Sequence, residues 1–269
     1  MAQTHGDLPS NLVLLNSITD AGPAAGGKIG ISGSHGGLFA AWVASRAKLR
    51  AVVLNDAGRG LEDAGIAGVK ALDNVSMAGV AVSAESAEIG AAHDTWSNGV
   101  VSFANETARG LGVSEGMSVS DACAYLAHAR QPDDVLPTID EGRIERLVGR
   151  HEVLCVDSAS LVRESDADRI IVTGSHGGLI GGDPRRASKA KARLIAFNDA
   201  AGGKNGAGVS RLPALDLYGI AAVALDCMSC RIGDAASALE TGVVSYANNA
   251  ARLLGVDAGA SLHDWIRSR

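Results

Sequence analysis

Two short segments of the chain carry the residue types of nucleophilic and acid–base chemistry. Gly33-Ser34-His35-Gly36-Gly37-Leu38 recurs without a break as Gly174-Ser175-His176-Gly177-Gly178-Leu179. Each follows an apolar run, and each is followed downstream by the pair Asn55-Asp56 or Asn198-Asp199. A serine hydroxyl can attack a carbonyl, an imidazole can carry its proton, and a carboxylate can orient the imidazole. Catalytic roles are therefore expected of Ser34, His35 and Asp56, and of Ser175, His176 and Asp199. Substrate-binding roles are expected of Gly36, Gly37, Gly177, Gly178, Asn55 and Asn198, and of Ser86, Ser229 and Cys230 at the end of the next apolar run. Adjacent side chains at a strand end point to opposite sides. A working Ser–His pair would therefore draw its members from different copies.

These side chains need elements to position them, and the chain builds those elements twice. Beyond the Asn-Asp pairs, Ser86 matches Ser229, and Gly99-Val100-Val101-Ser102 matches Gly242-Val243-Val244-Ser245. Asn105 and Arg109 match Asn248 and Arg252. The expected organisation is a first repeat over 1–130, a connector over 131–150 and a second repeat over 151–269. Within each repeat, short apolar runs such as Leu12–Leu15, Ala51–Leu54 and Gly79–Val82 alternate with helical patterns, including one expected over 92–111. Runs this uniformly apolar fit strands buried on both faces, as in parallel sheets. The fold class expected is α/β, internally duplicated: two homologous, mainly parallel sheet units about a pseudo-twofold, with Rossmann-like layering. The connector is expected to hold a short amphipathic helix over 138–148. In open α/β sheets ligands bind beyond the carboxyl ends of strands, which is where the Ser-His and Asn-Asp pairs fall.

The strand, tight turn and helix around Ser34, with Ser32 and Gly36 flanking it, resemble the nucleophile elbow of the α/β-hydrolase family; Thr173 and Gly177 flank Ser175 likewise. That resemblance implies a nucleophilic Ser34 or Ser175, with the N–H of His35 or His176 in an oxyanion hole. It spans roughly Lys28–Asp56 and Arg169–Asp199. It departs from the family in being duplicated and in lacking a late triad histidine other than His263. Two other readings of the loop stand beside it. The glycines can present backbone N–H groups to an anion, or can permit close packing with the serine as a cap. Both loops being intact favours a backbone role or a site on the pseudo-twofold that uses both. Asn55-Asp56 and Asn198-Asp199 read equally as turns.

Composition excludes several partners. A net charge of -6 and 3% aromatic residues argue against nucleic acid, by electrostatics and by stacking alike. No apolar stretch is long enough for a membrane span, and the first residues lack the pattern of a signal peptide. The four cysteines read as reduced thiols of a cytoplasmic protein. Cys227 and Cys230 form the one C-x-x-C, without the further ligands that zinc would need. The basic run from Arg185 to Arg193 reads as a solvated helix face, and Arg109 and Arg252 as salt bridges between the copies. No nucleotide fingerprint is present, so neither cofactor nor metal is expected. The function expected is hydrolysis of a small polar amide, lactam or ester in a cleft between the repeats. The alternatives are a non-catalytic module binding a small polar or anionic molecule, and an isomerase or racemase with two-sided acid–base chemistry. Assembly into a homo-oligomer is compatible with this reading.

Overall fold

The computed structural model of the protein describes residues 8–269. Two separate sheets account for the duplication. The first holds β1 (Leu12–Leu15), β2 (Ile29–His35), β3 (Ala51–Asn55), β4 (Ala78–Val82) and β5 (Val101–Ala104), in that spatial order. The second holds β6 (Arg143–Val148), β7 (His151–Val156), β8 (Ile170–His176), β9 (Leu194–Asn198), β10 (Ala222–Leu225) and β11 (Val244–Ala247). Its order is β11-β10-β9-β8-β7-β6. The four inner-pattern strands of each repeat are parallel, and β5, β11 and β6 pair antiparallel at the edges. The α/β duplication expected from the repeats is the fold.

Alternation along the strands divides each core in two. Val52, Leu54 and Ala81 face the helices α1 (Leu38–Arg46) and α2 (Ala67–Ala71). Ile29, Ile31, Val53 and Val80 face α3 (Ala92–Asn98), α4 (Glu106–Gly110) and α5 (Val119–Leu126). In the second repeat α6 (Arg211–Asp216) covers one face, and α7 (Ala235–Thr241), α8 (Asn249–Leu253) and α9 (Leu262–Arg267) cover the other.

The structure corrects three expectations of secondary structure. Residues 92–111 are not one helix, because Gly99 and Val100 break it and β5 intervenes before α4. Asn105 then caps α4, accepting from the Ala108 N–H at 2.9 Å while its amide ties to Met77 O. Residues 143–148 form β6 rather than a helix. Antiparallel pairing with β7 outcompetes the weak helical pattern, and β6 adds an edge strand that the first sheet lacks. Third, the second repeat has no counterpart of α1. Gly181 and Gly182 adopt left-handed φ of 65° and 68° and Pro184 follows, so the chain there makes only short 3-10 turns. The basic run is thus a loop, not a helix face.

The repeats meet through the loops that follow β3 and β9. Ala57-Gly58-Arg59-Gly60 and Ala200-Ala201-Gly202-Gly203 all have positive φ. These left-handed turns interlock reciprocally: Leu61 N–H donates to Cys227 O and Lys204 N–H to Ala84 O, both at 2.8 Å. Glu62 pairs with Arg231 at 3.2 Å, and the Asn205 amide donates to Glu88 at 2.7 Å, the matching positions with roles exchanged. Lys204 adds an ion pair to Asp94 at 2.8 Å. Ala57, Ala64, Ile89, Ala200, Ala207 and Ile232 form an apolar cluster between the halves. Arg109 and Arg252 take no part. They lie over Phe103 and Tyr246 of their own repeats, which corrects the salt-bridge expectation.

Candidate active site

A cleft of about 850 Å³ opens where the strand ends of the two sheets face each other. Ser34, His35, Ser175 and His176 all line it. Each histidine is delivered by a register shift, between Ile31 and His35 in β2 and between Val172 and His176 in β8. Bulges of this kind re-aim a side chain without ending the strand. The two imidazoles, one from each repeat, stand edge to face with ring centroids 6.3 Å apart.

The glycines after each histidine serve its ring. Gly37 N–H donates to His35 Nδ1 and Gly178 N–H to His176 Nδ1, each at 3.1 Å. A Cβ on Gly37 would lie 2.7 Å from that Nδ1, so only glycine lets the amide approach. With Nδ1 accepting, the proton of each neutral imidazole sits on Nε2. Gly36 and Gly177 N–H groups bind Asn55 and Asn198 carbonyls at 2.8 Å. The four glycine amides are therefore spent inside the fold rather than offered to an anion.

The serine hydroxyls also reach the cleft lining, but they turn to backbone rather than to an imidazole. Ser34 Oγ accepts from Ile18 N–H at 3.0 Å, and Ser175 Oγ from Ala159 N–H at 2.9 Å. Among the described residues neither hydroxyl hydrogen-bonds an imidazole or a carboxylate, so no base stands ready to take its proton. Ser34 lies within β2, ahead of α1, without the partner that would activate it.

Asn55-Asp56 and Asn198-Asp199 are turns. Asp56 accepts from Gly58 N–H, Ala84 N–H and Ser102 Oγ, and Asp199 from Ala201 N–H and Cys227 N–H. Asn55 and Asn198 accept from Ala57 and Ala200 N–H. Ser86 and Ser229 latch the edge strands by accepting from Val100 and Val243 N–H. None of these residues, nor Cys230, lines the cleft. Burial pushes the Cys227 thiol up to about 12 and Cys230 up to about 11, so neither is a ready thiolate. Asp199, Asp226 and Cys227 bring potential metal-ligand atoms within 4.8 Å of one another, away from the cleft. His263 lies on α9, also outside it.

Sequence reasoning read Arg185, Arg186 and Lys189 only as a solvated face and missed Arg211 and Glu141. Arg185, Arg186, Lys189, Arg211 and Arg231 line the cleft with Asp157 and Asp234 from the second repeat, Asp140 and Glu141 from the connector and Glu62 from the first repeat. Burial pushes Glu141 up to about 7; the charge of Asp157 adds to this, and a hydrogen bond with Ser158 opposes it. A mismatch between the repeats was the available signal: Gly68 stands where the second copy has Arg211.

Burial holds His35 down at about 4. It holds His176 well below the usual imidazole range too, with the Arg211 and His35 charges adding to the effect. The unfolded chain takes up these protons near pH 6.5, whereas the native state refuses them until far lower pH. Stability should be full above about pH 6.5 and fall toward pH 4, by up to about 1.4 kcal/mol per pH unit for each histidine. Urea melts at pH 7 and pH 5 measure the drop. It should shrink in a variant carrying His35→Gln and His176→Gln, and an undiminished drop would refute the assignment.

Among the described residues no helix is long and apolar enough to cross a membrane. No protein-family model, curated protein or solved structure matches the chain.

Proposed function

We propose that the protein hydrolyses a small amide, lactam or ester in the inter-repeat cleft, without a covalent intermediate. The carrying observation is the pair of neutral imidazoles 6.3 Å apart, each with Nδ1 tied to a backbone amide and Nε2–H left for a ligand. Two such donors suit the oxygen of one carbonyl, where negative charge develops as the carbon becomes tetrahedral. Their low basicity fits donors that polarise rather than protonate, because both stay neutral at working pH. Glu141, held up at about 7, is suited to take a proton from water. The resulting hydroxide attacks the carbonyl carbon, and the oxyanion rests between the two Nε2–H groups. Collapse then expels the amine or alcohol, which receives the proton from Glu141.

The expected test result has two parts. Active turnover in H₂¹⁸O places one ¹⁸O in the product acid, and quenched enzyme carries no acyl adduct. An adduct on Ser34 or Ser175 would replace this reading with the covalent one. Because Glu141 acts ionised, kcat/KM should rise with pH through about 7. Glu141→Gln should lower it by about 10²–10⁴-fold and abolish that rising limb. An unchanged pH profile in Glu141→Gln rules it out as the base.

A second reading draws on the observation that no imidazole or carboxylate bonds either serine among the described residues. One carboxylate and an oxyanion site also suffice to abstract a proton next to a carbonyl, as an isomerase does. Deuterium entering carbon from solvent, with no hydrolysis, would select it.

A further inference from the structure

The two walls of the cleft are unlike. On the first repeat's side Leu38, Phe39 and Ala40 line it, where α1 is present. On the second repeat's side the helix is missing, and cations take its place. Arg211 is the informative one. It is 6% exposed, yet among the described residues no carboxylate pairs with it. Its Nε–H donates to Gly178 O at 2.9 Å and one Nη1–H to Ala187 O at 3.1 Å, while Nη2 has no hydrogen-bond partner among the described residues. The guanidinium lies over the Phe197 ring, 5.2 Å from its centroid.

Neighbouring groups make the isolation of this charge sharper. Arg186 and His176 both feel the Arg211 charge, and Arg186 forms no ion pair among the described residues, although Asp183 feels its charge. Arg185, Arg231 and Lys204, by contrast, are satisfied by Asp183, by Asp234 and Glu62, and by Asp94. A buried cation without a counter-charge is costly, and the cost is relieved when an anion enters. The free side of a guanidinium is a planar fork, matched to the two oxygens of a carboxylate. A phosphate would want several further donors, and the glycine-loop amides that could have supplied them are bonded within the fold.

We propose that Arg211, with Arg186, anchors a carboxylate group of the substrate, whose apolar part lies against Leu38 and Phe39. This rests on the reading of the cleft as the reaction site and narrows it to a carboxylated amide, lactam or ester held in one orientation.

Binding to the intact chain tests this without any turnover. Benzoate, acetate and inorganic phosphate are titrated calorimetrically at constant ionic strength. Benzoate is expected to bind saturably and at least tenfold more tightly than acetate, with phosphate weaker than either carboxylate. Arg211→Lys keeps a charge but loses the fork, and should weaken benzoate at least tenfold. Arg186→Gln, on an exposed loop where folding is not at stake, should weaken it about three- to tenfold. Phe39→Ala should reduce the preference for benzoate over acetate. Tighter binding of phosphate than of carboxylates, or benzoate affinity unchanged in both arginine variants, would overturn the proposal. Glu141→Gln should bind benzoate at least as tightly as the wild type, with the same preference over acetate and phosphate, since it removes a negative charge from the same cleft. Failure of hydrolysis with intact carboxylate binding therefore strikes only the proposed reaction, and loss of selective carboxylate binding strikes only the anchor.

Discussion

Replacing either cleft histidine is expected to reduce kcat by about 10²–10³-fold, the usual consequence of removing one oxyanion donor. His35→Ala and His176→Ala test this best when paired with Ser34→Ala and Ser175→Ala, because the two sets separate the covalent from the non-covalent route. Ser34 Oγ and Ser175 Oγ each satisfy a backbone N–H. Their loss leaves that donor bare and should cost about 1–2 kcal/mol of stability, with kcat kept within about fivefold. Removal of an imidazole bares a backbone N–H too, that of Gly37 or Gly178, and should cost a similar amount of stability at pH 7, but here turnover collapses with it. The two histidine effects should also fail to add, since both donors serve one oxygen. If the serine variants lose turnover by more than about 10³-fold while the histidine variants keep it, the roles drawn for the cleft are inverted.

Gly58→Ala is expected to destabilise the protein by about 2–4 kcal/mol, a large fraction of a typical folding free energy. A Cβ there would sit 2.3 Å from the Cβ of Ala201, the matching residue of the other repeat. Neither atom can rotate away, because both are fixed to backbone in interlocked left-handed turns. Positive φ at residue 58 adds about 1 kcal/mol for any residue other than glycine. Gly202→Ala is the matched control. Its φ is +71° and nothing lies within 4 Å of the added atom, so only that backbone term, about 1 kcal/mol, should be lost. Chemical denaturation of the two variants gives the comparison directly. Equal losses would mean that the loops separate easily and that the cleft is not a fixed frame.

The duplicated α/β plan was legible because parallel strands buried on both faces leave unmistakable apolar runs, and because the Ser-His and Asn-Asp strand ends recur. The histidines were legible for the same reason. Their mode of action was not. Whether Gly37 and Gly178 present their amides outward to an anion or inward to an imidazole depends on a bulge in β2 and β8, which a list of residue types does not encode. Edge strands were the weak point of the secondary structure. Val101–Ala104 and Arg143–Val148 gain their conformation from a partner strand, not from their own propensity. Glu141 and Arg211 have no equivalents across the repeat, so self-similarity passes over them, and Arg186 reads in isolation as part of a solvated run. They come together only when the connector and the loop that replaces a helix fold over the same cleft.

One feature of the second repeat bears on why the two halves share one polypeptide. At Gly68 a side chain would strike Gly37 O, 2.1 Å from the added atom, and Ala41 of α1 at 2.7 Å. The matching position takes Arg211 where no such helix follows. A two-chain homodimer must repeat every change on both sides of its axis, so it must carry two helices and no arginines, or two arginines and no helices. Joining the halves in one chain lifts that constraint. One half can keep an apolar wall while the other acquires a charge, and the paired repeats still set the two imidazoles edge to face across the cleft. Covalent linkage thus turns a symmetric frame into a cleft with a distinguishable left and right, the first requirement for telling one end of a substrate from the other.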